Sequence, residues 1–481
     1  MRRLLALSST LFLTLGCGKD DESEAKAECQ LEAIDLSACQ RSSLAQVQAD
    51  GIWNLNVLLN DGAGAASTMR LTGLSSGAAL LGFNVTERQV SGDTFFLASD
   101  VVSGTGNPVR YVVAGCSATG PGQLGGIFRR CVDGQADLQG TFEGVRLSRR
   151  AGEEESSKVE RVGEIALPRG SATELAVAHG HAYVVAGREG LFIFDVSNPS
   201  QPTKVLEAKP SNDVYNDVLV HGQTMYVATK SSGIAVFDLT DPKTPARIRS
   251  VPEKAVEAVS LAVDGNYLYA ASPAPNAEVL IFDITKPTEP KVITRYFVEG
   301  SEPNAGELPL DVTAAGGKLY VSHWTYGMTV SDVTTPTKPK LLGRFAGATS
   351  RTTVVGTFGA RTVAFDAGED WGAHLSVLNV TVPELPEQMG AFRTRPEVSI
   401  RSMALSGTKL YVAYYQDGLR VLDVSVPGEP RQVGYYNSWR ETDAGRGVTF
   451  FDGLNALRVP GDGYIYATET ARGLLIFRET E

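Results

Sequence analysis

One phrase recurs six times in this chain: Asp or Asn, an aliphatic residue, Ser or Thr, any residue, Pro, two residues, Pro. The copies begin at Asp195, Asp238, Asp283, Asp332, Asn379 and Asp423, 43 to 49 residues apart, and none breaks the spacing. Each follows a short and mainly apolar run, such as Leu191–Phe194, Ile234–Phe237 or Leu419–Leu422. Runs of this length are too short for helices, and the continuous ones suit strands buried on both faces. The Asp can accept a backbone N–H two residues on, making an Asx turn. The prolines then hold the chain extended and deny it helix. A repeat of this period, built from short apolar strands, is the signature of a β-propeller.

Tyr183, Tyr226, Tyr320, Tyr411 and Tyr466 each stand seven residues before a glycine: Gly190, Gly233, Gly327, Gly418 and Gly473. The Tyr marks one strand and the Gly the hairpin turn into the next, where positive φ is needed. The unit therefore reads as four strands, a to d. The last unit reaches strand c at Leu474–Phe477 and stops at Glu481, without room for a strand d. At the other end, Val162-Gly163-Glu164-Ile165 is an orphan of the d type seen at Val433–Tyr436, Leu342–Phe345 and Met389–Phe392. The expectation is a seven-bladed ring over 159–481, closed by its first strand, which removes exposed sheet edges.

The stretch Gly418-Leu-Arg-Val-Leu-Asp-Val-Ser-Val-Pro-Gly-Glu-Pro430 and its siblings resemble the bacterial LVIVD-repeat family. The resemblance covers residues 159–481. It implies a β-propeller on an exported lipoprotein and supplies no accepted catalytic residues. Copy four departs with Ser331 where a hydrophobe is usual, and copy five with Asn379 for Asp.

The address lies at the N-terminus. Arg2 and Arg3, the apolar Leu4–Leu15 and Gly16-Cys17 read as a signal peptide (1–17) with lipidation at Cys17. A polar tether follows over 18–27. Gly18 lacks the Asp that favours inner-membrane retention in some bacteria, so the expected location is the outer membrane, held by acyl chains. The net charge of −11 argues against nucleic-acid binding. The four other cysteines, Cys29, Cys39, Cys116 and Cys131, all precede the propeller. An even number in an exported domain reads as two disulfides. Three pairings are open, and the local one joins 29 to 39 and 116 to 131.

Residues 28–150 carry β-rich stretches, including Gly51–Leu58, Val109–Val113 and Gly140–Leu147. They suggest a small antiparallel barrel or sandwich of six to eight strands. Residues 151–158 read as a linker. Gly73-Leu74-Ser75-Ser76-Gly77 matches the nucleophile-elbow pattern, but that pattern needs a strand–turn–helix in an α/β sheet. A turn explains it here.

The loops at one end of the blades form the expected binding face. Glu174, Asp217 and Asp311 stand at the starts of a strands, and Arg351 and Arg401 belong to later blades. Trp324, Tyr326, Trp371, Tyr415 and Trp439 fall in or near the same loops, where aromatics can recognise protein or glycan or simply pack between blades. Asp366, Glu369 and Asp370 in the 366–372 segment could ligate calcium through oxygen. The residues demand no cofactor. The leading expectation is a non-enzymatic envelope lipoprotein that binds another envelope protein or a polysaccharide. The alternative is a metal-dependent propeller hydrolase or lactonase.

Overall fold

Each copy of the phrase builds the same local structure. Asp195 Oδ1 accepts the Ser197 N–H (3.0 Å) and its hydroxyl (2.6 Å). Asp238, Asp283 and Asp332 do the same with Thr240, Thr285 and Thr334, and Asn379 with Thr381. Hydroxyl and N–H donors favour the carboxylate form, so Asp195, Asp238 and Asp332 titrate below the ordinary range. The strand before the turn is buried on both faces. Leu191, Phe192, Ile193 and Phe194 are all inside, and burying such a side chain stabilises by roughly 1.5–3 kcal/mol.

A computed structural model describes residues 28–71, 77–210, 212–347 and 349–481. Cys17, the signal peptide, the tether and Gly73–Ser76 of the elbow-like motif lie outside the described residues. The chain divides into two units. One comprises Arg150–Trp439 and Gly453–Glu481, and the other the preceding residues together with Arg440–Asp452. Among the described residues no helix is long and apolar enough to cross a membrane.

The larger unit is a seven-bladed β-propeller. Blade one runs Glu174–Ala178, His181–Val185, Leu191–Asp195 and Thr203–Ala208, each strand antiparallel to the next. The other blades repeat this order. In six blades the c–d ladder shifts register at the same place, as at Ile193/Phe194 and Val421/Leu422. Such a bulge bends and twists the outer strand. The phrase also joins blades. Tyr183 donates its hydroxyl to Pro242 O (3.1 Å) and Tyr226 to Pro287 O (2.8 Å), in each case a carbonyl of the next phrase along. A Cβ on Gly343 of a d strand would lie 2.2 Å from Pro383 O in the next blade, which is why that position carries no side chain. The hairpin glycines Gly190, Gly233, Gly327, Gly418 and Gly473 all have positive φ, as the spacing predicts.

Ring closure follows the expected pairing. Val159–Ile165 lies antiparallel to Gly473–Glu479, with Ile165 opposite Leu474 and Gly163 opposite Ile476. Arg472 is buried and donates to both Glu164 oxygens (2.9 and 2.6 Å). The segment expected as a linker is not loose. Ser156–Ser157 adds a fifth strand to blade six beside Tyr435 and Tyr436. Glu153 accepts from Arg420 (3.0 Å) and Asn437 (3.2 Å), partners that only the fold brings to it.

Among the described residues the smaller unit forms a single nine-stranded antiparallel sheet, more strands than expected. Its strands are β1 Gly51–Leu59, β2 Gly64–Leu71, β3 Ala79–Leu80, β4 Phe83–Asn84, β5 Glu87–Ser91, β6 Thr94–Val102, β7 Pro108–Gly120, β8 Gln123–Val132 and β9 Gln135–Arg146. The order is β4-β3-β2-β1-β9-β8-β7-β6-β5. The sheet rolls on itself, with Phe83 of β4 stacked on Tyr111 of β7 at 5.3 Å, around Trp53, Leu55, Phe95 and Phe142. It is therefore rolled like a barrel and not a sandwich. The local disulfide pairing is corrected: the bonds join Cys29 to Cys131 and Cys39 to Cys116. The N-terminal segment crosses the sheet instead of folding on itself. Ala136 N donates to Glu28 Oε2 (2.8 Å), which brings Cys29 to β8. Ala118 N donates to Ser43 Oγ (2.9 Å), which brings the next stretch to the β7 bulge at Cys116. Arg440–Asp452, expected to be propeller, completes this unit: Glu441 accepts the Ile52 N–H (3.0 Å), and Arg70 donates to Arg446 O (2.9 Å).

Candidate functional site

The innermost strands of the propeller surround a cavity of 470 Å³. That lies within the ~300–1,000 Å³ typical of small-molecule sites. Its collar is charged. Glu174, Asp217 and Asp311 come from blades one, two and four, and Arg351, Arg401 and Arg458 from blades five, six and seven. Ser260 and Ser402 stand between them, and Ala176, Leu219, Ala262, Val354 and Ala404 form an apolar waist. Five of these charged residues were expected on this face, and the fold brings all five into one cavity.

Arg458 was not foreseen. Blade seven carries no Asp phrase after its strand c, and only its Tyr466 and Gly473 mark it as a repeat. Pairing Arg458 with Tyr466, as Ala176 pairs with Tyr183, would have placed it. It donates to Glu174 (2.7 Å) and lies 4.0 Å from Asp217. Each Asp217 oxygen also accepts a backbone N–H, from Val218 (2.7 Å) and Leu261 (2.8 Å). Burial, with Glu174 beside it, nonetheless pushes the Asp217 carboxyl up. Asp311 accepts the Ser260 hydroxyl.

The second half of the collar is organised by Glu369. It is buried, pairs with Arg351 Nε at 3.1 Å and lies 4.0 Å from Arg401 Nε. It also accepts the Tyr415 hydroxyl. Arg351 donates onward to Leu310 O (3.1 Å). Burial disfavours the Arg401 charge, but nearby Tyr415, Glu369, Glu174 and Asp311 outweigh it and its pKa is raised.

Glu369, in the loop after strand b of blade five, is thus an ion-pair hub and not solvent-exposed. Asp366 lies before that loop, in strand b of blade five, Arg361–Gly368, is buried, and accepts the Ser350 and Thr353 hydroxyls. Burial pushes its carboxyl up to about 6. Asp370 accepts the Trp371 N–H (2.7 Å). Among the described residues no three His, Cys, Asp or Glu side chains converge as metal ligands would.

The aromatic set is split by burial. Tyr326 and Tyr415 are inside, so they are packing residues and not an exposed patch. Tyr326 donates to Glu299 O (3.0 Å) and Arg344 covers its ring at 3.8 Å. Trp324, Trp371 and Trp439 are half-buried. Trp324 and Tyr415 have positive φ, like Gly187 at the equivalent turn, and each bridges to the first strand of the next blade. A non-glycine residue there carries a strain of about 1–3 kcal/mol, held by that bridge.

Fold and collar together define a β-propeller module with a charged axial cavity. It carries LVIVD repeats: the family model described as LVIVD repeat matches residues 169–208, 256–298, 310–347 and 399–438. These are blades one, three, four and six. No curated protein matches the chain. Among solved structures, the WD40 β-propeller domain of Doa1 aligns over 67% of this chain and 98% of its own length, at 9% identity and a TM-score of 0.50. That likeness supports the fold alone. A chain of the mitotic checkpoint complex (12% identity, covering 69% and 98%, TM-score 0.48) and the computationally designed Ika8 protein (10%, covering 66% and 99%, 0.45) also align.

Proposed function

We propose that this protein is a lipid-anchored component of the bacterial outer membrane whose propeller is a non-enzymatic binding or scaffold module for an envelope protein or a polysaccharide. One observation carries the binding reading: charged side chains from six blades converge in one cavity, on a ring fixed by its own closure. A rigid scaffold presenting preorganised polar groups is what recognition requires. The half-buried indoles of Trp324, Trp371 and Trp439 add amphipathic contact surface. Support for the envelope comes from the Gly16-Cys17 site after an apolar stretch, and from two disulfides, which persist in oxidising compartments.

The test has two parts. Cys17→Ser should move the protein from the outer-membrane fraction to the soluble fraction. Crosslinking in intact envelopes should then recover one stoichiometric protein or polysaccharide with the wild type, and lose it with Trp324→Ala/Trp371→Ala. Equal recovery from both would sink the reading. Metal-dependent turnover of esters or lactones, with stoichiometric calcium bound, would replace it by the hydrolase alternative.

A further inference from the structure

Within the collar, most charges are matched at short range by the protein itself. Arg458 is held by Glu174, Arg351 by Glu369 and Leu310 O, and Asp217 by two backbone N–H groups. Two groups differ. Arg401 has one ion pair among the described residues, a long one with its Nε 4.0 Å from Glu369, while Tyr415, Glu174 and Asp311 act on its charge from farther off. Asp311 has a hydroxyl partner in Ser260 and no ion pair among the described residues. One is a cation on blade six and the other an anion on blade four, and blade five lies between them. Both line the same cavity, and below them its wall turns apolar at Ala176, Leu219, Ala262, Val354 and Ala404.

We infer that the axial cavity binds a small zwitterion of the amino-acid class, with its carboxylate on Arg401, its ammonium on Asp311 and an apolar side chain against the waist. This rests on the binding-module reading above and adds a ligand to it. A guanidinium fork suits a carboxylate, and charge-assisted hydrogen bonds are the stronger kind. A ligand with one charge would answer only one of Asp311 and Arg401 and forgo the second charge-assisted contact. The pairs around Glu174 and Glu369 keep the collar ordered before any ligand arrives, which lowers the cost of binding.

The experiment is calorimetric titration of the full chain with L-leucine, N-acetyl-L-leucine and L-leucinamide. The wild type should bind leucine and bind each blocked form about ten- to hundredfold more weakly. Arg401→Gln should weaken leucine by a similar factor without further weakening leucinamide. Asp311→Asn should weaken leucine without further weakening N-acetyl-leucine. Unchanged melting temperatures in both variants establish that the fold is kept. No heat from leucine up to roughly 10 mM, or equal binding of leucine and either blocked form, would overturn the inference. Partner capture in intact envelopes uses the indole variants and not these. Failure here with capture intact removes the zwitterion alone, and failure of capture removes the module reading.

Discussion

The propeller holds its two ends together with hydrogen bonds, through Val159–Ile165 on Gly473–Glu479. The smaller unit holds its N-terminal segment with covalent bonds, Cys29 to Cys131 and Cys39 to Cys116. The difference follows from how each buries its core. Every blade packs against two neighbours through repeated strands, and at three seams a side chain donates to a carbonyl of the next phrase, at Pro242, Pro287 and Pro336, so one more paired strand completes a continuous set. The rolled sheet has no such repetition. Its crossing segment has two short 3₁₀ turns and no strand in the sheet, and beside its cysteine Cys29 it buries only Ile34 and Leu44 among the described residues, so the cross-links supplement a modest apolar contact. Repetition lets weak bonds suffice; its absence calls for cross-links.

The largest expected effect tests the first half of that contrast. Deleting Val159–Ile165 leaves Gly473–Glu479 as an open edge and should cost more than about 5 kcal/mol, comparable to the whole stability of a domain. Thermal unfolding should lose its cooperative propeller transition, and size-exclusion chromatography should show aggregates. A monomeric protein with an unchanged melting temperature would mean that blade-to-blade packing suffices without closure.

The second prediction tests the other half. Cys29→Ser/Cys131→Ser should cost about 2–5 kcal/mol. Calorimetry should show the loss in the smaller unit's transition, with the propeller's unmoved. Equal shifts in both would show that the two units unfold as one.

The smallest effect concerns a buried acid that the propeller tolerates. Asp366 is raised from 3.8 to about 6 by burial. A carboxyl raised on folding contributes stability that is fully present below its unfolded value and lost as pH rises through the folded one. The ionised form therefore costs up to about 3 kcal/mol above pH 6. Asp366→Asn keeps an acceptor for Ser350 and Thr353 and cannot ionise. Urea denaturation should show its stability relative to wild type improving by about 1–3 kcal/mol between pH 4 and pH 8. A pH-independent difference would mean that Asp366 stays ionised throughout.

What could be read in advance divides along the same line. The phrase at Asp195 and its siblings specifies an Asx turn by local chemistry, and six copies specify a ring. The orphan Val162–Ile165 could be placed because it resembles other d strands. The smaller unit offered no second copy to compare with. Gly64-Ala-Ala-Ser-Thr of β2 has no apolar alternation, yet it pairs with β1 throughout. The disulfides tie the N-terminal segment to β8 and β7, partners 102 and 77 residues away that only the folded sheet brings to it. At the site, Glu174, Asp217 and Asp311 were legible because equivalent positions in different blades must meet around one axis. Glu369 as a hub and Arg458 as a lining residue were not, because each depends on a side chain reaching from outside the repeat's markers.

Arg472 and Glu164, which clasp each other at the seam, are 308 residues apart in sequence. The ring can therefore not shut until both partners have been made. Until Gly473–Glu479 has been synthesised, the seventh blade lacks the strand on which Val159–Ile165 docks. Blades one to six can form as they are made, while Val159–Ile165 waits unpaired for the seventh.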